Sequence, residues 1–149
     1  MIIVLIVALL MIIMFNGGKK RKIYRKNGDR LCNSETHSEY NCVETGDIEI
    51  DIKPLITHYV NTCSVITMKN GKYYLLGHID EFKENMKKEL ISKIKMYGEY
   101  KNSEIKVYIG KGCEKECDSF KIIKEVLEMY GIFDRTKIER IKTGTVWIN

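Results

Sequence analysis

The sequence predicts an α/β fold: a mixed or antiparallel β-sandwich flanked by helices, preceded by an N-terminal transmembrane helix. Three observations predict it. Short segments of period-two alternation, such as "DIEIDIK" at 47–53, recur along the chain. Two longer segments repeat their apolar residues at helical spacing. Before either, Met1 to Phe15 is an unbroken apolar run, "MIIVLIVALLMIIMF". At 149 residues the chain suits one domain plus an appendage.

The apolar run comes first. As a helix, residues 1–18 extend about 27 Å, close to the roughly 30 Å hydrocarbon core of a bilayer. No charged segment precedes the run and no A-x-A-like site follows it, so an anchor is expected rather than a cleaved signal. Residues 17–30 then carry seven basic groups and one acid, Asp29. The remainder holds 18 basic and 19 acidic side chains, so the net charge of +5 is a juxtamembrane cluster. Such a cluster suits anionic lipid headgroups and holds the following chain on the cytoplasmic side. The expected organisation is an anchor at 1–18, a basic juxtamembrane segment and linker at 19–46, and a folded body at 47–149. Residues 1–26 contact lipid, and the chain is single-pass with 19–149 on the cytoplasmic side. No nucleic-acid partner is expected, because the body lacks a basic face.

Within the body, isoleucines 48, 50 and 52 alternate with polar residues and Pro54 ends that strand. "ITHYV" and "CSVITMK" follow, then Asn70-Gly71, then "KYYLLGHI". Asn-Gly between such runs predicts a hairpin, since both residues tolerate positive φ. Phe82, Met86, Leu90, Ile94 and Tyr97 recur on one helical face, with Gly98 at its end. "EIKVYIG" reads as a strand running into a glycine turn at 110–112. A second amphipathic helix runs from Asp118 through Phe120, Ile123, Leu127 and Tyr130 to Gly131. "KIERIKTGTVWIN" reads as two strands around Thr143-Gly144. From residue 47 the order is β-β-β-β-α-β-α-β-β.

Five cysteines, at 32, 42, 63, 113 and 117, allow at most two pairs. On a reducing side free thiols are the default. Cys113 and Cys117 have C-x3-C spacing, which matches neither the redox C-x-x-C nor half of a zinc knuckle, and they read as residues of a loop and helix start. Cys32 and Cys42 lie in a polar stretch where an oxidising side would let them close a small loop.

Cys63 and His78 are the candidates for chemistry. A turn centred between Asn70 and Gly71 sets Cys63 opposite residue 78, with Cβ atoms about 4.5–5.5 Å apart. A free thiol of pKa about 8.5 is mostly protonated at neutral pH. An imidazole in reach takes that proton and later returns it to a leaving group. Thr57, one strand earlier, offers a hydroxyl or carbonyl to orient the ring. The backbone N–H of Cys63, with Asn61 or Thr62, is the candidate donor to a developing oxyanion. His37 and His58 have no matching partner and read as surface or structural. Lys111 in "GKG" lacks the rest of a phosphate-loop frame.

These residues carry a resemblance. "THYVNTC" keeps Thr57 six places before Cys63, and "LLGHID" places His78 at the close of the following hairpin. "IKVYIGKG" and "FKIIKEVLEMYGI" then follow in order. From Thr57 to the C-terminus the chain resembles the CheD family of chemoreceptor glutamine deamidases, which shares its fold and thiol–histidine site with cytotoxic necrotising factor toxins. The family pattern is T-x-x-x-G-S-C, and Asn61-Thr62 stand here where it has Gly-Ser. The resemblance implies a protein-glutamine deamidase acting on a protein substrate with a reactive glutamine. Cys63 is then the nucleophile, His78 its base and Thr57 the residue orienting His78, with no metal or organic cofactor. The alternative is a non-catalytic membrane-anchored interaction or structural protein on the same scaffold, with Cys63 an inert core residue.

Overall fold

The computed structural model describes Cys32 and residues 39–149. The expected anchor and the whole basic cluster at 17–30 lie outside the described residues. Among the described residues no helix is long and apolar enough to cross a membrane. Eight strands and two α-helices are present among them: β1 (Asn41–Cys42), β2 (Ile48–Asp51), β3 (Leu55–Thr57), β4 (Ser64–Lys69), β5 (Tyr74–Ile79), α1 (Met86–Tyr97), β6 (Glu104–Ile109), α2 (Asp118–Met129), β7 (Lys137–Arg140) and β8 (Val146–Ile148). From β2 onward this is the order that the sequence pattern predicts.

Three layers result. The central layer is a five-stranded sheet ordered β2-β5-β4-β6-β7, antiparallel except for the parallel β6–β7 pair. On one face lie the helices. Ile66 and Met68 of β4, Leu75 and Ile79 of β5 and Ile105 and Val107 of β6 pack there against Met86, Leu90 and Ile94 of α1 and Ile123 and Leu127 of α2. Each fully buried Leu or Ile contributes about 1.5–3 kcal/mol relative to exposure. On the other face lies a three-stranded sheet ordered β1-β3-β8. Val65 and Leu76 meet Val43, Leu55, Val146 and Ile148 in that second core. Covered on both faces, β4 and β5 are almost wholly buried, which is why "SVITM" and "LLGHI" read as near-continuous apolar runs rather than alternations.

Several expectations are corrected. The hairpin loop has four residues rather than two, because the Asn70 side-chain oxygen accepts the N–H groups of both Lys72 and Tyr73 at 2.8 Å. Lys69 therefore pairs with Tyr74 and Val65 with His78, a register two places from the one expected. A shift of two keeps every side chain on its face.

Helix α1 begins at Met86, and Phe82 is 84% exposed instead of joining the helical face. Asp80 Oδ1 accepts the Phe82 N–H at 3.0 Å and holds the segment in a turn. The final strands do not pair with each other, since β7 extends the large sheet and β8 the small one.

Residues 41–46, read as linker, are built into the body. Asn41 and Val43 donate to the carbonyls of Pro54 and Ile56 at 2.9 and 2.7 Å, and Val43 is fully buried. The cysteines also depart from the free-thiol default. Cys32–Cys42 and Cys113–Cys117 are disulfides, with Cα separations of 5.3 and 5.5 Å, and Cys63 is a free thiol.

Candidate active site

Thr57 ends β3 and His78 sits in β5, so the two sheets bring them face to face across the second core. Both are fully buried. Thr57 Oγ1 donates to the Val43 carbonyl at 2.6 Å and lies 2.7 Å from His78 Nδ1. A hydroxyl has one proton, and a carbonyl oxygen can only accept. With that proton committed to Val43, Thr57 Oγ1 accepts from Nδ1–H. This assignment leaves the basic lone pair of the neutral ring on Nε2. The His78 backbone is held as well, donating to Asp47 O at 3.0 Å and accepting from Gly46 N at 2.8 Å.

Cys63 immediately precedes β4 and is half-buried. Extending the β4–β5 register one place sets it opposite Asp80. Strand alternation continued to residue 63 would put the thiol diagonal to His78, since residues 63 and 65 would then share a side. Diagonal neighbours lie roughly 7–8 Å apart, within the span of an imidazole. The structure joins Thr57 to His78 directly and sets Cys63 at the entrance of β4, with Val65 rather than Cys63 opposite His78.

The loop before Cys63 is shaped by backbone contacts. Tyr59 has φ of 56° and stands exposed, while Val60 beside it is buried and donates to Gly144 O at 2.9 Å. Gly110 N donates to Cys63 O at 3.1 Å and Gly112 N to Asn61 O at 2.8 Å. A Cβ at residue 110 would overlap the Asn61 and Cys63 carbonyls, so only glycine fits there. The Asn61 side chain lies against Gly112.

Electrostatics sets the resting state of the thiol. Burial, followed by the nearby Asp80 carboxylate, pushes Cys63 up to about 11. A hydrogen bond with Thr62 pulls the other way and Glu81 adds a smaller upward push. At neutral pH the sulfur is a thiol, not the thiolate of a pre-formed ion pair. An imidazole acting on it works by removing the proton as the sulfur attacks.

Sequence reasoning missed Val43, whose part is played by a backbone carbonyl in a segment read as linker. It also missed the grip of the 110–119 segment on residues 61–64, although the two glycines of "GKG" were visible as a turn. His58 Nδ1 lies 3.1 Å from Thr145 Oγ1, a local tie between the loop and the start of β8. His37 lies outside the described residues. A cleft of about 380 Å³ opens between β8 and the β6–β7 edge, with Lys106, Tyr108 and Trp147 among its walls. It takes Thr67 and Lys69 from the far end of β4, and none of Thr57, Cys63 or His78 lines it. The cleft and the thiol are separate features.

No protein-family model matches the chain, and no curated protein matches it.

Proposed function

We propose that the protein is a membrane-anchored cysteine amidohydrolase that deamidates glutamine side chains of a protein substrate, giving glutamate and ammonia. One observation carries the reading: a fully buried Thr57–His78 pair whose hydroxyl proton is committed to Val43, with the free cysteine two residues before Val65, the register partner of His78. In the reaction His78 Nε2 takes the Cys63 proton while the sulfur attacks the carboxamide carbon. The same proton then goes to the departing ammonia. Water, activated in turn by Nε2, hydrolyses the thioester to the glutamate and regenerates the thiol. The resemblance to CheD deamidases in "THYVNTC" and "LLGHID" supports the choice of substrate.

In this reading residues 1–18 span the membrane, residues 1–26 meet its lipids and residues 19–149 face the cytoplasm. The anchor would confine the enzyme to substrates near one membrane face. Disulfides on a reducing side are usually catalytic or redox-sensing, so both cross-links bear on this placement.

A second reading, a non-catalytic scaffold, is favoured by the thiol pushed up to about 11, which is the behaviour of an inert buried cysteine. Mass spectrometry separates the two. Candidate proteins incubated with the full chain should gain the mass difference between carboxamide and carboxylic acid at defined glutamines, and Cys63→Ser should abolish the change. The same glutamines unchanged with both chains would leave the scaffold.

A further inference from the structure

The Cys63 loop is gripped from behind at every position by one segment. Gly112 holds Asn61 through its carbonyl at 2.8 Å, and Gly110 holds Cys63 the same way at 3.1 Å. Cys117 Sγ lies 3.8 Å and Ser119 Oγ 3.4 Å from the Thr62 carbonyl. Ser64 Oγ lies 3.8 Å from Cys113 Sγ and 3.2 Å from Ser119 Oγ. The Cys113–Cys117 disulfide ties the middle of this segment, with Gly110 and Gly112 before it and Ser119 after it.

The cross-link itself is local. Its sequence separation is 4, against 10 for Cys32–Cys42, so it removes less entropy from the unfolded chain. Its two sulfurs are unequal. Cys113 is 1% exposed, while Cys117 is half-buried at the start of α2 and residues 114–116 between them are exposed. A thiolate from solvent meets Cys117 first. Once the bond is broken the sulfurs must part to non-bonded distance. Cys113 is packed in place, so Cys117 and the exposed residues give way, and the Cys117 contact on Thr62 goes with them, while Ser119, fully buried in α2, stays.

We propose that the Cys113–Cys117 disulfide is a reducible clamp on the Cys63 loop, opened by a dithiol reductant. One thiolate of the reductant attacks Cys117 Sγ, breaking the S–S bond and releasing Cys113 as a thiolate that takes a proton. The second thiol attacks the mixed disulfide, frees the Cys117 thiol and leaves the reductant as a disulfide. Two electrons pass to the protein, and the two protons gained match the two lost. The clamp closed holds Cys63 in place beside His78; the clamp open lets the loop relax and exposes the sulfur. Its regulatory meaning rests on Cys63 being the nucleophile proposed above, whereas the change at Cys63 does not.

The test uses the full wild-type chain, poised with mixtures of reduced and oxidised dithiothreitol and pulsed with iodoacetamide. Peptide mass spectrometry follows Cys63 labelling and the two disulfides separately. Labelling of Cys63 should rise about tenfold in step with reduction of Cys113–Cys117, as a one-unit fall in the thiol's pKa would produce, and return on reoxidation. Cys117→Ser should hold the fast state without any reductant. Equal Cys63 labelling in both redox states overturns the clamp, and so does a rise that tracks Cys32–Cys42 instead. Deamidation is read in parallel. A labelling switch with no deamidation in either state supports the clamp and sinks the amidohydrolase.

Discussion

The two halves of the candidate site are built in opposite ways. The base half, Thr57 and His78, lies inside two strands, fully buried, with a hydrogen-bond chain ending on a backbone carbonyl. The nucleophile half, Cys63, hangs on a loop at a strand entrance, half-buried and clasped by a second loop. The contrast teaches where each demand falls. A base needs one ring nitrogen held protonated and the other aimed, which a sandwich interior supplies. A nucleophile needs access for a substrate, which only a rim position supplies. It also implies that stability and activity separate on one side of the site and coincide on the other.

The largest expected effect breaks the comparison directly. Cys63→Ala should abolish deamidation yet leave unfolding free energy within about 0.5 kcal/mol, as for substitutions outside the core. His78→Ala should lower turnover by about 10²–10⁴-fold and also cost roughly 2–5 kcal/mol, because it empties a buried site and takes the Nδ1–H donor from the Thr57 oxygen. Urea unfolding beside the mass-shift assay reads both quantities. Equal stability loss in the two variants would erase the distinction between the halves.

Next comes Thr57→Val, which keeps shape but removes the acceptor for Nδ1–H and the donor to Val43. It should cost about 1–3 kcal/mol and lower activity, with Thr57→Ser retaining most of both. Gly110→Ala is its counterpart on the nucleophile side. The added Cβ overlaps the Asn61 and Cys63 carbonyls, so the loop must shift at roughly 1–3 kcal/mol, and Cys63 alkylation should change. Unaltered labelling in Gly110→Ala would show that the glycine turn does not position the sulfur.

The smallest effect is a pH dependence. The folded state raises the Cys63 pKa to about 11, so it holds the thiol proton more tightly than the unfolded chain. The stability this contributes is present below the ordinary thiol pKa and is lost as pH rises through that value toward 11. Thermal unfolding of wild type should therefore fall more steeply over that alkaline window than that of Cys63→Ala, and parallel curves would contradict the shift.

Much of this was legible in the residues. The apolar faces of α1 and α2, the order of elements from β2 onward and the glycine at each helix end all follow from periodicity and positive-φ requirements. Thr57, Cys63 and His78 stood out because hydroxyl, thiol and imidazole are side-chain types, and of these the structure joins Thr57 to His78. What escaped has physical causes. Asn70 converted an expected two-residue turn into a four-residue one by capturing two N–H groups, and strand pattern says nothing about loop length. The two-residue β1 is too short for any periodicity, so the segment bearing Val43 read as linker. A backbone carbonyl has no residue signature at all. The assignment of β7 and β8 to different sheets depends on partners far away in sequence. Spacing alone could not decide that the cysteines pair.

The most direct test of the Cys63–His78 relation is the pH profile of Cys63 alkylation by iodoacetamide, in wild type and His78→Ala. If Nε2 removes the thiol proton, wild type reacts in a first phase well below the thiol's alkaline range and climbs again toward the thiol's own pKa, while His78→Ala keeps only the alkaline climb. A single alkaline rise, identical in both chains, would mean that the imidazole never reaches the sulfur.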